Sequence, residues 1–311
     1  MKKLILLTTL FFTVCFKMNG QSVCRPNYGT TVIWCPIDSF RVAYTDAGKG
    51  PVLLFVHDLL GNIGSWQQNI PALSRMGFRC IAVDLPGYGA SSKIMLDSGK
   101  TQMDFYASVI DAFAQKLELK KVTLVGQGMG GQIAILNALQ QPKWLKQVVV
   151  AGPNGLEPFE EPERDLLLAF ATPRYHRYED SLRIVGTTKR LFSQMPASAQ
   201  QLVDERIALM ECEDFDKWCK TVALGTQGML QRPLKEQLPL IKLPVLLMFG
   251  EKDRLIPSRL LHPDMKVQEV AKVATDRIKK CRLQWMPEAG HMMQWEQPQA
   301  FNEAVRSFAK P

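Results

Sequence analysis

The sequence predicts an α/β fold, in which a mostly parallel sheet of eight strands is flanked by helices. Continuous apolar runs at residues 52–56 and 80–83 are typical of strands that helices cover on both faces, and two further strands are predicted at 121–125 and 147–150. Helical patterns separate these runs, and this alternation predicts a parallel sheet. From residue 153 to about 239 only amphipathic helical patterns occur. We therefore expect a helical cap inserted into the sheet domain.

The elements before the cap are predicted in the following order. Short β-rich runs at 31–36 and 40–44 indicate an antiparallel hairpin at one edge of the sheet. A crossover helix is predicted at 66–76. Thr101 and Asp104 have the spacing of a capping box, so a longer helix is expected to begin there.

The same alternation of strands and helices resumes after the cap. Strands are predicted at 244–249 and 282–286, and helices at 266–278 and 298–309. The chain is therefore divided into a sheet domain and an insertion. The predicted boundaries are 1–20 for a signal peptide, 21–152 and 240–311 for the sheet domain, and 153–239 for the cap.

The first twenty residues have the pattern of a secretory signal peptide. Lys2 and Lys3 precede an apolar run at 4–16, and polar residues follow it up to Gly20. The apolar run is short for a membrane span, which disfavours an uncleaved anchor. We expect cleavage after Gly20 and a mature protein that is secreted or periplasmic, without a transmembrane segment.

Cys15 raises the alternative of a lipid anchor. Phe12, Thr13 and Val14 precede this cysteine, whereas a lipoprotein signal has small residues around it. A lipoprotein is therefore the less favoured interpretation.

The charge of the chain gives no indication of a nucleic-acid partner. The formal net charge is +8, and removal of Lys2, Lys3 and Lys17 with the signal peptide leaves 35 basic and 30 acidic residues. No basic run interleaved with aromatic residues occurs, so neither nucleic acid nor a polybasic membrane contact is predicted.

Six cysteines remain after the predicted cleavage. Cys24 and Cys35 bracket a short segment and could close a loop, while Cys212 and Cys219 are seven positions apart in a helical pattern. The pairing stays open. No C-x-x-C pair or His/Cys cluster has metal-ligand spacing, so no metal and no cofactor are expected.

The stretch at 121–135 predicts a strand, a glycine turn and the start of a helix. Gly126, Gln127, Gly128, Met129 and Gly130 form the frame of this turn. A strand that reverses into a helix holds its apex residue in a strained, exposed conformation, and the motif G-x-S-x-G places a nucleophilic serine there. Gly128 stands at the apex in this chain.

A second interpretation of the same turn is a dinucleotide-binding motif. Gly126, Gly128 and Gly131 satisfy G-x-G-x-x-G, but that motif needs an acidic residue about 20 positions later, at the end of the next strand. Ala151, Gly152 and Pro153 follow that strand instead. Cofactor binding is thus disfavoured, and a tight turn without chemical function remains a further alternative.

Two polar residues follow later strands at the same edge of the predicted sheet. Asp253 comes after the strand at 244–249, and His291 comes after the strand at 282–286. Ligands bind beyond the carboxyl ends of parallel strands. The chain order of apex, acid and histidine is that of one known catalytic triad arrangement.

With these motifs the sequence resembles the α/β-hydrolases, in particular the esterases and carbon–carbon bond hydrolases that carry a lid, over about residues 30–310. The segments Val-Asp-Leu-Pro-Gly-Tyr-Gly-Ala-Ser at 83–91 and Ala-Gly-His at 289–291 also match that family. The resemblance implies that His291 is the general base and that Asp253 orients it. It also implies a serine nucleophile at the apex, where Gly128 is degenerate.

The predicted oxyanion loop departs from the family as well. The family usually has His-Gly there, and this chain has His57, Asp58, Leu59 and Leu60. Backbone N–H groups of this loop and of Met129 are expected to stabilise an oxyanion, which the Asp58 carboxylate would oppose. His57 is interpreted as structural, as are the glycines at 126 and 130.

Three functional hypotheses follow from these departures. The first is an exported protein that binds a small apolar or acyl-bearing ligand under the cap and has lost serine hydrolysis. The second is an active, esterase-like hydrolase that uses water activated by His291 and Asp253, or a relocated carboxylate at Asp58. The third is an interaction protein whose pocket is filled by side chains. The ligand and the oligomeric state stay open.

Overall fold

A computed structural model of the protein describes residues 26–94 and 101–310. The predicted signal peptide, Cys15 and Cys24 lie outside the described residues. The described chain forms one eight-stranded sheet with the order β1-β2-β4-β3-β5-β6-β7-β8. The pairs β1·β2 and β2·β4 are antiparallel and the remaining pairs are parallel. The predicted fold class is confirmed.

The strands lie close to the predicted runs. They are β1 (Ile33–Ile37), β2 (Phe40–Ala47), β3 (Val52–Val56), β4 (Arg79–Val83), β5 (Val122–Gln127), β6 (Leu145–Ala151), β7 (Val245–Gly250) and β8 (Cys281–Met286). The helices are α1 (Ile70–Arg75), α2 (Gln102–Lys116), α3 (Met129–Gln140), α4 (Glu161–Phe170), α5 (Pro173–Arg177), α6 (Ser181–Arg190), α7 (Gln200–Leu209), α8 (Phe215–Gln231), α9 (Val267–Thr275), α10 (Met293–Glu296) and α11 (Pro298–Ala309).

The central strands are buried on both faces, which explains their continuous apolar runs. In β3, Leu54 and Val56 belong to the hydrophobic cluster on one face, and Leu53 and Phe55 belong to the cluster on the other face. Successive side chains of a strand point to opposite faces, so an apolar residue is needed at every position.

The crossover between β3 and β4 is shorter than the predicted helix at 66–76. A 3₁₀ turn covers Ile63–Trp66, and α1 begins only at Ile70. Pro71 lies in the first turn of α1, where its missing N–H leaves no helical hydrogen bond unmade. A proline further inside a helix beginning at residue 66 would break it, so the chain divides at this point.

The segment between β6 and β7 contains helices α4 to α8 and no strand. Its start is held to the sheet domain by Glu157, whose Oε1 atom accepts hydrogen bonds from the backbone N–H of Ser258 (2.8 Å) and from Nδ1 of His262 (2.6 Å). Nε2 of His262 lies 3.2 Å from Glu163 on α4. The assignment of residues 153–239 as a cap over the site stays a prediction.

None of the described helices combines the length and apolar character that a membrane span needs.

The thiols of Cys35, Cys80, Cys219 and Cys281 are free, whereas Cys212 takes part in a disulfide. Of the pairings left open, Cys24 with Cys35 is excluded, since Cys35 is buried as a free thiol in β1 and packs in the core. Cys212 and Cys219 do not pair with each other either, because Cys219 is a free thiol.

Candidate active site

Gly128 lies at the apex of the turn between β5 and α3. Its backbone has φ 55° and ψ −115°, a conformation that glycine adopts readily and other residues adopt only under strain. A Cβ on Gly126 would collide with the backbone of Gly130, and a Cβ on Gly130 would collide with the backbone of Val56 and His57. The two flanking glycines therefore allow the close approach of strand, turn and loop.

The carboxylate of Asp58 fills the space above this apex. Asp58 follows β3, and its Oδ1 atom accepts a hydrogen bond of 2.7 Å from the backbone N–H of Met129. A Cβ placed on Gly128 would overlap the carboxylate of Asp58, well inside van der Waals distance. The site has room for a side chain from the apex or for the Asp58 carboxylate, but not for both in this arrangement.

His291 and Asp253 meet at the same edge of the sheet. Nδ1 of His291 donates a hydrogen bond of 2.8 Å to Oδ2 of Asp253, and both side chains are fully buried. Oδ1 of Asp253 accepts the backbone N–H groups of Leu255 at 2.8 Å and Ile256 at 3.0 Å. These bonds fix the carboxylate that orients the imidazole.

The second imidazole nitrogen faces Asp58. Nε2 of His291 lies 3.5 Å from Oδ2 of Asp58. This is a charged contact at the limit of hydrogen-bond distance, and Nε2 has no hydrogen-bond partner among the described residues. Asp58, His291 and Asp253 thus form a continuous row, with the imidazole between two carboxylates.

His291 and Asp58 are held in their charged forms. Burial lowers the pKa of His291, but the charges and contacts of Asp253 and Asp58 outweigh burial and raise that pKa to about 10. Burial raises the pKa of Asp58, but the contact with His291 and the N–H groups of Met129 and Leu59 hold it below its usual range. At neutral pH the resting site therefore contains an imidazolium, which is a proton donor and not a general base.

His57 holds the loop that carries Asp58. Its Nδ1 atom donates to the backbone oxygen of Asp58 at 2.7 Å, and its Nε2 atom accepts the backbone N–H of Leu85 at 3.1 Å. Burial lowers its pKa, so a neutral imidazole suits both bonds. The side chain of Leu59 packs against the core and does not line the cavity.

A cavity of about 320 Å³ lies over Asp58. Its walls come from the sheet domain, through residues such as Asp58, Gln127 and Met292, and from the helical segment, through residues such as Leu191 and Leu209. Gly128 and Met129 do not line it, because Asp58 covers the apex. A cavity of this size accommodates a small molecule.

Several polar residues of the cavity wall were not predicted from the sequence, among them Gln127, Glu205 and Arg206. Gln127 is fully buried, and neither atom of its amide has a hydrogen-bond partner among the described residues. It belongs to the glycine turn, so its position next to the apex was a usable signal. Glu205 and Arg206 lie on α7, where charged residues in an amphipathic pattern normally face solvent.

The sequence profile of the α/β-hydrolase fold family matches residues 51–298. The chain belongs to this family. Two curated relatives illustrate the similarity of this α/β-hydrolase to others. The uncharacterized hydrolase YugF of Bacillus subtilis is 27% identical over 277 residues, which cover 86% of this chain and 92% of that protein. The 2-hydroxy-6-oxo-6-phenylhexa-2,4-dienoate hydrolase of Burkholderia cepacia is 26% identical over 286 residues, covering 88% and 92%.

Solved structures show the same fold. A probable hydrolytic enzyme from Pseudomonas aeruginosa PAO1 superposes on this α/β-hydrolase with a TM-score of 0.79 at 22% identity, over 92% of this chain and 96% of that one. An esterase from Exiguobacterium antarcticum has a TM-score of 0.72 at 22% identity, over 91% and 100%.

Proposed function

We propose that this α/β-hydrolase binds a small, mainly apolar or acyl-bearing molecule beneath its helical cap and does not act as a serine hydrolase. The observation that carries the proposal is the Asp58 carboxylate above Gly128, hydrogen-bonded to the N–H of Met129. Gly128 stands where the family has its nucleophilic serine, and Asp58 occupies the space that the serine side chain would need. His291 is an imidazolium at rest, so it cannot act as a general base, and Gly128 supplies no hydroxyl beside it.

Ligand binding is favoured over a purely structural role by unsatisfied polar groups in and beside the cavity. Buried polar atoms are normally hydrogen-bonded, yet the amide of Gln127 and Nε2 of His291 have no hydrogen-bond partner in the described part of the chain. Apolar side chains such as Leu202, Leu209 and Trp218 make up much of the remaining wall. This combination fits a small molecule with one polar group directed at the Asp58 end.

Serine chemistry and ligand binding are tested separately. We expect no labelling of the wild type by a fluorophosphonate probe, because Gly128 supplies no hydroxyl at the apex of the turn. Small fluorinated aromatic and acyl fragments should bind in fluorine NMR, and Ala208→Trp, which fills the cavity from α7, should abolish that binding. The matched control is Ala300→Trp on the exposed side of α11. Labelling mapped to a cavity serine such as Ser65, or fragment binding that Ala208→Trp leaves intact, would refute the proposal.

Export is part of the proposed function. The first twenty residues have the order of charge, apolar run and polar exit that a signal peptide requires, and a disulfide such as that of Cys212 persists in an oxidising compartment. Mass spectrometry of the protein purified from its native cells should find a mature chain that begins near Gln21. An intact N-terminus on a protein from the cytosolic fraction is the contrary result.

A further inference from the structure

The six parallel strands, β3 to β8, all begin at the same edge of the sheet. Backbone hydrogen bonds join neighbouring starts: the N–H of Val122 to the oxygen of Trp144 at 2.8 Å, and the N–H of Val245 to the oxygen of Lys280 at 2.9 Å. The segments that lead into the strands therefore lie side by side, although they are far apart in the sequence. These segments are 48–51, 75–78, 116–121, 141–144, 241–244 and 276–280.

The six segments together are strongly basic, with ten basic and two acidic residues. The basic residues are Lys49, Arg75, Lys116, Lys120, Lys121, Lys143, Lys242, Arg277, Lys279 and Lys280, and the acidic ones are Glu118 and Asp276. From Gln21 onward the whole chain has 35 basic and 30 acidic residues, so the rest of it has more acidic than basic residues. The positive surplus is therefore concentrated on this surface, which we call the basic edge.

The charges of the basic edge are not neutralised within the part of the chain that the structure describes. Nine of the ten basic residues are exposed, and Arg277 is half-buried. None of the ten forms an ion pair with a described carboxylate. Asp46, beside the edge, is already paired with Arg79 at 2.6 Å. These charges are thus available to an external partner.

Stabilisation of helix ends accounts for only part of this pattern. Arg75 and Lys116 lie in the last turns of α1 and α2, where a basic side chain interacts favourably with the helix dipole. That effect falls off within the last turn, whereas Lys120, Lys143 and Lys242 lie beyond the helix ends, next to the strands. Helix stability alone therefore does not explain the basic edge.

We propose that the basic edge docks the protein on an anionic phospholipid surface. Neighbouring strands are about 4.8 Å apart and the Debye length at physiological ionic strength is about 8 Å, so the charges of adjacent segments act together. The negative potential of an anionic leaflet attracts basic residues close to it. No polybasic contact was predicted from the sequence, because these residues become neighbours only through the fold.

Side chains at the basic edge favour a lipid surface over nucleic acid. Met76 and Leu240 are 45% and 61% exposed there, and apolar side chains enter a lipid interface while lysines stay at the level of the headgroups. Single-stranded nucleic acid is bound by stacking of its bases on aromatic side chains. The aromatic residues of the six segments are Phe78 and Trp144, and both are buried.

Docking through the basic edge leaves the cavity open to the aqueous side. The cavity lies over Asp58, which follows β3 at the opposite edge of the sheet. A docked protein therefore takes its ligand from water and not from the lipid. The docking surface shares no residue with the cavity wall, so the two proposals can fail independently.

The test is cosedimentation of the chain from Gln21 onward with phosphatidylcholine vesicles that contain or lack phosphatidylglycerol. We expect binding only with phosphatidylglycerol, and its loss at high salt. The edge variant is Lys120→Gln/Lys143→Gln/Lys279→Gln/Lys280→Gln. It should bind on the order of 100-fold more weakly, since each basic residue near an anionic surface strengthens binding about fivefold.

The matched control removes the same charge from exposed positions of the predicted cap, in Arg174→Gln/Lys189→Gln/Arg190→Gln/Lys220→Gln. This variant should bind almost as the wild type does, and circular dichroism verifies that both variants are folded. Equal losses in the two variants would show a response to net charge alone. A loss confined to the cap variant would place the contact on the opposite side of the molecule. Either result would overturn the proposal.

Leu240→Trp adds a readout that a soluble polyanion does not give. On vesicles, brominated lipid should quench the emission of the added tryptophan, measured as the difference from the wild type. Leu182→Trp, at a position of α6 that is 82% exposed, is the control and should not be quenched. Vesicle binding without quenching at residue 240, or binding to DNA or heparin without binding to vesicles, would overturn the proposal. None of these readouts depends on a ligand in the cavity.

Discussion

The double variant Asp58→Gly/Gly128→Ser is expected to react with a fluorophosphonate and to hydrolyse p-nitrophenyl acetate, whereas Gly128→Ser alone is expected to do neither. The positive φ of Gly128 is the strained apex conformation that a nucleophilic serine adopts in this turn. In the single variant the new side chain would collide with the Asp58 carboxylate. Removing that carboxylate frees the space and the N–H of Met129, and it also takes away one cause of the raised pKa of His291.

The expected gain in the double variant is on the order of 10³-fold over the wild type, below the full contribution of a triad serine, because Leu59 and Leu60 remain where the family has glycines. Asp58→Gly is the matched control, since it opens the site without supplying a hydroxyl. Adding His291→Gln to the double variant should remove the gained activity. A folded double variant that stays inert would show that the geometry assigned to Gly128 and His291 is incorrect.

Arg206→Met is expected to lower the free energy of unfolding by about 3 kcal/mol, as is usual when one partner of a buried ion pair is removed. Nη2 of Arg206 lies 2.6 Å from Oε2 of Glu179, and the two side chains are only 9% and 6% exposed. The guanidinium also lies 3.5 Å from the ring centre of Trp218. Methionine preserves much of the packing against that ring but leaves the Glu179 carboxylate buried with weaker partners.

Urea denaturation followed by circular dichroism measures this effect. Arg306→Met is the matched control, because its pair with Glu303 lies at the surface and should contribute much less to the free energy of unfolding. Adding Glu179→Gln to Arg206→Met should recover part of the loss. Equal destabilisation by the two arginine substitutions would contradict the assignment of a buried pair.

Most of the fold could be predicted because its signals are local. The run that became β3 is apolar at every position, and such a run indicates a strand buried on both faces. Thr101 caps α2 as its spacing to Asp104 predicts, with its hydroxyl accepting the N–H of that residue. The predicted crossover helix is too long, because Pro71 is accepted only in the first turn and so sets the start of α1.

The candidate site was predicted in part. Asp253 and His291 follow strands of one sheet, so the topology alone brings them together. The place of the Asp58 carboxylate could not be read from the sequence, because it depends on how the loop after β3 crosses the start of α3. Glu205 and Arg206 gave no signal, since a charged residue on an amphipathic helix faces water unless another element covers it.

The central claim is that the Asp58 carboxylate lies over Gly128, beside His291. Nitrogen NMR of the histidine-labelled protein tests it most directly, with His291→Gln used to assign the resonance among the four histidines. We predict that His291 in the wild type is an imidazolium at neutral pH and loses its proton near pH 10, and that Asp58→Asn lowers this pKa because one of the two facing carboxylates is lost. A wild-type His291 that titrates near its ordinary value of 6.5, with no change in Asp58→Asn, would contradict the account.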